Sequence, residues 1–261
     1  MAEWPELEQA IRDQDDETAA WSRQELGKDI YHFANSVSIA QRSLDVLDEA
    51  LSVSPPDEPV TKKFQAVRIQ LEYAFKRLLN AWRLLLEGYH SDARNLQRIA
   101  WEAENRAAYY LTCEGTGERF LEGEEVREGT VRKELNNYYK KHFPELWNTQ
   151  GDVLTGQWNK LSTYSHVYQL GVVHLQATVD GQLVTLRQTG VRKRNELYVS
   201  MALNGWLTQR IARTLAHEIS ELEQWPDELS THIEKADQER KDLEAQIQTE
   251  FPLPDKPNPP L

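Results

Sequence analysis

Two pairs of polar residues at helical spacing could carry chemistry in this chain. Arg98 and Glu102 are four residues apart, and so are Ser162 and His166, so each pair would lie on one face of a helix. A histidine can transfer protons, and an arginine can stabilise the charge that develops on a phosphate during cleavage. We therefore take Arg98, Glu102 and His166 as candidate catalytic residues, with Ser162 and Tyr164 as candidate binding residues.

The Arg98–Glu102 pair also has two non-catalytic interpretations. It could be an ordinary surface ion pair, although an arginine that precedes a glutamate is the weaker orientation on a helix. It could also be a buried structural clamp, because the same face holds Trp101 and Tyr109 and buried charges are stable only when they are paired and hydrogen-bonded. In such a clamp, Glu102 would accept hydrogen bonds from Arg98 and from a neighbour such as His166.

Two short runs surround these residues within about positions 60–170. They are Gly88-x4-Ala93-x4-Arg98-x3-Glu102 and Trp158-x2-Leu161-Ser162-x3-His166. Together they resemble a broad group of bacterial helical proteins near the HEPN-type domains, which are associated with toxins, phage defence and RNA cleavage. The resemblance implies an all-α fold whose shared polar positions are Arg98, Glu102, Ser162 and His166. If the chain is an enzyme, the resemblance implies a metal-independent ribonuclease.

The chain departs from the HEPN ribonuclease pattern in one respect. Those enzymes carry an arginine, then a polar residue and, a few residues on, a histidine on one helix. In the run from Arg83 to His90, Leu84 takes the polar position and Gly88 interrupts the helix. An enzyme built from the candidate residues would therefore take its arginine and its histidine from different helices.

The sequence predicts neither a metal site nor another cofactor. A di-metal helical bundle needs two Glu-x-x-His motifs on facing helices. The chain has Glu87-x-x-His90 and the weaker Asp29-x-x-His32. The helical phase places Glu87 and His32 on the outer sides of their helices, which disfavours a shared metal ion.

The net charge argues against broad electrostatic binding of nucleic acid. The 261 residues include 30 basic and 42 acidic side chains, a formal net charge of −12, whereas such binding requires the neutralisation of phosphates. A local basic cluster is still a candidate binding site for an acidic partner or for nucleic acid; it consists of Arg187, Arg192, Lys193 and Arg194. The single cysteine favours a cytoplasmic location, and no apolar run reaches the ~20 residues that a membrane helix needs.

The spacing of apolar residues predicts an all-α fold, an antiparallel bundle of long helices. Two neighbouring helices, over about residues 17–54 and 58–87, carry apolar residues at alternating steps of three and four. The first seam is Ile30, Phe33, Val37, Ala40, Leu44, Leu47 and Leu51; the second is Phe64, Val67, Leu71, Ala74, Leu78, Ala81 and Leu85. A short Pro-rich link between them predicts a helical hairpin.

The rest of the chain adds one irregular feature to this bundle. Two β-prone runs flank Asp180-Gly181, which predicts one small β-hairpin inserted at about residues 173–188. A last, highly charged helix to about Gln248 has few apolar anchors, so it either lies on the surface or awaits a partner. We expect a single domain over residues 1–250 and an extended Pro-rich tail over residues 251–261.

Two functions from different classes remain open at this stage. The first is a non-enzymatic interaction or regulatory module that forms a homodimer through its heptad seams or binds another protein. The alternative is a HEPN-like RNA-cleaving enzyme of the toxin or phage-defence type, in which Arg98 and His166 act on the phosphate and Glu102 orients them.

Overall fold

The computed structural model describes residues 4–53, 58–145, 154, 156, 177–180, 183–186, 194–219 and 226–250, and this part of the chain is an all-α bundle apart from one short strand pair. Its helices are α1 (Trp4–Leu26), α2 (Ile30–Val53), α3 (Glu58–Leu86), α4 (His90–Thr112), α5 (Thr116–Leu121), α6 (Glu128–His142), α7 (Arg194–Ile219) and α8 (Asp227–Glu250). A 3-10 turn, Gly27–Asp29, joins α1 to α2.

The apolar seams of α2 and α3 lie in the protein's own core. All seven predicted seam residues of α3 are buried, and so are Phe33, Ala40, Leu44 and Leu47 of α2. The prediction of a helical bundle is therefore confirmed. These seams are covered within one chain, so they are not the surface through which a second copy could dock.

The prediction of one helix over residues 17–54 is wrong. The structure has two helices in this region, and α1 begins well before the predicted start, at Trp4. Gly27 adopts a left-handed conformation with φ of 50°, a conformation that glycine tolerates and that ends a helix. The periodic apolar pattern does not reveal this break, because the following 3-10 turn keeps the chain close to helical.

Small residues allow α4 to lie close to α3. The residues concerned are Ala93, Ala100, Ala103 and Ala107, all of them fully buried, and they share core clusters with apolar residues of α3. Short side chains let two helix backbones approach, and side-chain packing then fixes their separation. This contact holds α4 in place, so its other two faces can carry polar groups.

The helix α7 packs against α2, α3 and α4. Its apolar residues Leu197, Met201, Leu207, Ile211 and Leu215 are buried. At Gly205 the helix is so close to α2 that an added Cβ would lie 3.1 Å from Cδ1 of Phe33. The Phe33 ring in turn packs edge-on against Trp82 of α3, with ring centroids 6.0 Å apart, so little room is left for it to move.

The charged helix α8 packs on α2 and α7. Leu229, Ile233, Leu243 and Ile247 are all buried, so these few anchors are used within the chain. Polar contacts fix the helix further. Gln209 of α7 donates to the Ser36 hydroxyl and to the Ala236 carbonyl, both at 3.0 Å, and Arg240 Nε donates to Gln209 Oε1 at 3.2 Å.

Asp237 is the acidic centre of this α7–α8 contact. It forms ion pairs with Arg213 of α7 and with Arg240 and Lys241 of α8. Burial acts to raise the pKa of Asp237, but the hydrogen bonds from Arg240 and Lys241 and the charge of Arg213 together lower it to about 2. The carboxylate therefore stays ionised and paired at neutral pH.

Two four-residue strands, β1 (Ala177–Asp180) and β2 (Leu183–Leu186), pair antiparallel. Ala177 lies opposite Leu186, and Asp180 lies opposite Leu183. Residues 173–176, 181–182 and 187–188 of the predicted insertion, and the predicted tail over residues 251–261, lie outside the described residues. Within the described part of the chain, no helix is both long enough and apolar enough to cross a membrane.

Replacing Gly205 by alanine should destabilise the bundle. Alanine favours a helix over glycine by about 1 kcal/mol. Here, however, its methyl group would lie 3.1 Å from the Phe33 ring, which would have to shift against Trp82, and overpacking of a core costs about 1–3 kcal/mol. Urea unfolding followed by circular dichroism measures the net change. Gly129→Ala in α6 is the matched control, because an added methyl group there would meet no atom within 4 Å, and it should leave stability unchanged or raise it slightly. A Gly205→Ala protein more stable than the wild type would contradict this packing.

Candidate functional site

Charged residues of two helices form what we call the α4–α6 charge network. It consists of Arg98, Glu102 and Arg106 on α4 and Glu128 and Arg132 on α6. Arg98 Nε donates to Glu102 Oε1 at 3.0 Å. The Arg106 Nη2 and Arg132 Nε atoms lie 3.6 and 3.9 Å from the two carboxylate oxygens of Glu128. Glu128 of α6 thus lies between an arginine of α4 and an arginine of its own helix.

Helix geometry explains why these charges meet. The three α4 residues follow one another at intervals of four, so they lie along one face of the helix. On α6, Arg132 follows Glu128 at the same interval. The buried residues Val131 and Leu135 join the main core cluster and hold the first two turns of α6 against α4.

Glu128 is the most perturbed acid of this network. Burial raises its pKa to about 7, against the opposing charges of Arg106 and Arg132 and with a further increase from the negative charge of Glu102. Among the described residues, neither of its carboxylate oxygens has a hydrogen-bond partner, because both guanidinium contacts exceed hydrogen-bond distance. Glu128 therefore exchanges its proton close to neutral pH, a property that is common at functional sites but also occurs in structural ion networks.

The candidate catalytic pair of α4 is formed and is largely removed from water. The side chains of Arg98 and Glu102 are 21% and 15% exposed, so the pair is not an open surface ion pair. The other candidates of this group, Ser162, Tyr164 and His166, lie outside the described residues. The approach of His166 to Arg98 and Glu102 stays a prediction.

The predicted basic cluster is only partly described. Arg187, Arg192 and Lys193 lie outside the described residues, whereas Arg194 is the first residue of α7. Arg194 forms an ion pair with Glu25 of α1, and its guanidinium lies 5.6 Å from the centre of the Tyr198 ring. Contacts within the chain thus already use this arginine, which reduces its availability to a partner.

Residues of the two motifs considered for metal binding, Glu87-x-x-His90 and Asp29-x-x-His32, make other contacts in the structure. Glu87 accepts a hydrogen bond from Arg83 at 2.9 Å, and His32 Nδ1 lies 3.3 Å from Glu239 of α8. Among the described residues, no group of three or more His, Cys, Asp or Glu side chains could hold a metal ion.

A buried polar seam between α4 and α7 is a feature that the sequence analysis does not predict. Gln97 Nε2 donates to the Ser200 carbonyl at 2.9 Å and to Asn204 Oδ1 at 3.2 Å. Asn204 Nδ2 in turn donates to the Leu78 carbonyl of α3 at 3.2 Å. Gln97 and Asn204 are both buried. One side-chain network therefore ties α3, α4 and α7 together.

The same seam contains a buried carboxylate, Glu104. The Arg210 Nε atom of α7 lies 3.2 Å from Glu104 Oε2, but neither carboxylate oxygen accepts a hydrogen bond from the part of the chain that the structure describes. Arg210 also donates to Asn105 Oδ1 at 3.2 Å. Burial raises the pKa of Glu104 to about 8, although the charge of Arg210 opposes this shift. The carboxyl group is thus mainly neutral at pH 7.

Two sequence signals could have pointed to this seam. Residues with polar side-chain atoms recur at steps of three and four along α4, at positions 90, 94, 97, 101 and 104, and all are buried. An Arg-x6-His run also lies on α7, from Arg210 to His217, with Ile211 where HEPN ribonucleases have a polar residue. In the structure, the guanidinium of Arg210 is directed to Glu104 and Asn105.

Comparison with known proteins found no match to this chain. No protein-family model matches the chain, and no curated protein or solved structure is significantly similar to it.

Replacing Glu104 by glutamine should flatten the pH dependence of stability. The folded-state pKa of about 8 exceeds the ordinary value of 4.5, so the folded protein holds a proton that the unfolded chain releases between these pH values. The contribution of this group to wild-type stability should therefore be fully present below pH 4.5 and be lost as the pH rises through 8. Glutamine mimics the neutral acid.

The variant should equal the wild type near pH 4.5 and exceed its stability by about 1 kcal/mol or more at pH 8.5. Urea unfolding at both pH values measures the difference. Glu49→Gln, at an exposed glutamate paired with Arg42, is the control for the loss of one carboxylate. A Glu104→Gln protein that is less stable than the wild type at pH 8.5 would show that the ionised pair with Arg210 stabilises the fold.

Proposed function

We propose that the protein is a non-enzymatic interaction or regulatory module of the cytoplasm that self-associates through the outer face of α3. The observation that carries this proposal is the exposure of three large apolar side chains on that helix, while its inner seam is buried. Ile69, Tyr73 and Leu79 are 48%, 40% and 39% exposed. Exposed large apolar side chains along one helix support a protein–protein contact at that helix.

The charges of this α3 face fit a second copy of the chain. Positive and negative residues alternate along it: Lys76 pairs with Glu72, and Arg83 pairs with Glu87. A face with both signs of charge can pair with its own copy across a two-fold axis, because each cation of one copy can meet an anion of the other. A face of one sign would repel its copy.

The interactions of the α4–α6 charge network also favour a non-enzymatic role. Arg98 is paired with Glu102, and Glu128 lies between Arg106 and Arg132. Each guanidinium thus has a carboxylate within the protein, as expected of a structural clamp that joins two helices. In this interpretation the network supports the bundle and the outer face of α3 binds the partner.

Tyr73→Glu should dissociate the proposed dimer. Tyr73 is one of the three exposed side chains, and Arg77 lies 4.6 Å from the centre of its ring. A charged glutamate there would remove the apolar ring from the two-fold contact and add a carboxylate whose desolvation opposes association. Sedimentation equilibrium should show a wild-type dimer and at least a roughly tenfold higher dissociation constant for the variant. Tyr31→Glu is the matched control, since Tyr31 is 73% exposed on α2, and it should stay dimeric. A wild type that is monomeric at ~100 µM, or a Tyr73→Glu protein that is still dimeric, would refute self-association through this face.

The second candidate function is metal-independent RNA cleavage of the HEPN type. Two features of the network favour it: three arginines lie together on α4 and α6, and the pKa of Glu128 is about 7. Arginine side chains can stabilise the charge of a phosphate in its transition state, and a group that titrates near neutral pH can transfer protons. In this proposal Arg98 and His166 act on the phosphate and Glu102 orients them.

This candidate predicts cleavage of single-stranded RNA in the presence of EDTA. Cleavage should fall at least a hundredfold in His166→Ala, since general acid–base catalysis contributes about 10²–10⁴-fold. Gel analysis of a labelled RNA measures the rate, and thermal unfolding checks the fold. His232→Ala, at an exposed histidine of α8, should cleave like the wild type. Cleavage that survives in His166→Ala, or an inactive wild type, would exclude this mechanism.

A further inference from the structure

The guanidinium of Arg210 is held between α4 and α7 by three neighbouring side chains. It donates to Asn105 Oδ1 at 3.2 Å, and its Nε atom lies 3.2 Å from Glu104 Oε2. Its Cζ atom lies over the Trp206 ring, 5.1 Å from the ring centre. A side chain that is already held in this way loses little further freedom when it binds a ligand. Arg210 is therefore preorganised to bind a planar anion.

Glu104 does not neutralise this guanidinium near pH 7. Its side chain is 1% exposed, and among the described residues it is the carboxyl group within ion-pair distance of Arg210. Burial raises the pKa of Glu104 to about 8, against the charge of Arg210, which acts on it from α7. The carboxyl group is therefore mainly neutral at pH 7, and the positive charge of Arg210 is available to an anion from solution.

The two buried side chains that contact the guanidinium have polar atoms without partners. In the part of the chain that the structure describes, Asn105 Nδ2 and both carboxyl oxygens of Glu104 lack a hydrogen-bond partner, whereas buried polar groups are normally hydrogen-bonded. An amide nitrogen and a neutral carboxyl group can both donate hydrogen bonds, as the guanidinium does. Three donor groups without an ionised acceptor favour an anion at this position.

An apolar strip on α7 leads to this position from the solvent side. Arg210 is still 19% exposed, so its outer edge can be reached from water. Leu203 and Trp206 precede it by seven and four residues, on the same face of the helix, and both are only partly buried against the main core cluster. The helical rise places Leu203 about 10 Å from Arg210 along the axis. A ligand with an apolar body of similar length and an anionic end can contact both residues.

We propose that Arg210 binds the carboxylate of a small organic acid whose apolar body lies along Trp206 and Leu203. Asn105 holds the guanidinium in place, and the neutral form of Glu104 leaves its charge to the ligand. The ionised form of Glu104 competes with the ligand for the same guanidinium and repels it. The site requires neither a dimer nor cleavage of RNA, so its failure and that of either proposed function are separate results.

Octanoate is the appropriate first probe, because its chain is of comparable length to the strip and its carboxylate stays ionised between pH 7 and pH 9. Calorimetric titration at constant ionic strength measures its affinity. The ligand binds the form in which Glu104 is neutral. With a pKa of about 8, that form falls about tenfold between pH 7 and pH 9, so the affinity of the wild type should fall by about the same factor. Octanol, an uncharged molecule with the same chain, should bind at least about tenfold more weakly at pH 7.

Substitutions at two positions and one control test the assignment. Glu104→Gln should bind octanoate at pH 9 about tenfold more tightly than the wild type, with little dependence on pH. Arg210→Gln should weaken binding at pH 7 at least about tenfold. Arg210→Lys keeps the charge but loses the planar fork, so it should give an intermediate loss and serves as the test if the glutamine variant unfolds. Arg42→Gln removes an exposed arginine whose partner is Glu49 and should bind like the wild type.

The same titrations contain the outcomes that would overturn the proposal. Equal affinity of Glu104→Gln and the wild type at pH 9 would show that the ionised carboxylate does not compete with the ligand. Equal affinity of both Arg210 variants and the wild type would place octanoate elsewhere on the protein. Equal affinity of octanol and octanoate would show non-specific apolar binding without recognition of the carboxylate. A wild type that binds no octanoate at ~1 mM would likewise exclude the site.

Discussion

The polar tie between Gln97 and Asn204 is the interaction on which the arrangement of the bundle depends. Gln97 donates hydrogen bonds to two acceptors on α7, one of them Asn204, and Asn204 donates a hydrogen bond to the Leu78 carbonyl of α3. Buried amides need specific partners at specific distances, unlike apolar side chains, which tolerate sliding. This tie therefore selects one register of α4 and α7, while the surrounding apolar contacts provide most of the stability.

The helical fold was largely predictable because it follows from apolar periodicity. Steps of three and four identify the seam of α3 residue by residue, and all of its predicted members are buried. The boundary between α1 and α2 was not predictable by the same argument. A single left-handed residue, Gly27, ends α1, and one glycine within a polar, periodic stretch is a weak signal. Periodicity shows which face is buried, but it does not show where a helix is interrupted.

The candidate site was predictable only in part, because spacing along one helix does not give the partners from another. The Arg98–Glu102 pair follows from its interval of four. The contribution of Glu128 and Arg132 depends on how α6 docks on α4, which the sequence does not state. Likewise, Glu104 looks like a surface acid of a charged helix, and its burial becomes evident only once α7 covers it.

The three sides of α4 make three different contacts within the bundle. Its alanines let α3 approach, and its amides and Glu104 fix α7. Its third side carries the charged residues that meet α6. The third contact also reaches the core through Val131 and Leu135 of α6, so only its charged part can change without repacking the core. A change of charge at Glu128 would then act on the α4–α6 contact while the tie between Gln97 and Asn204 keeps the rest of the bundle in place.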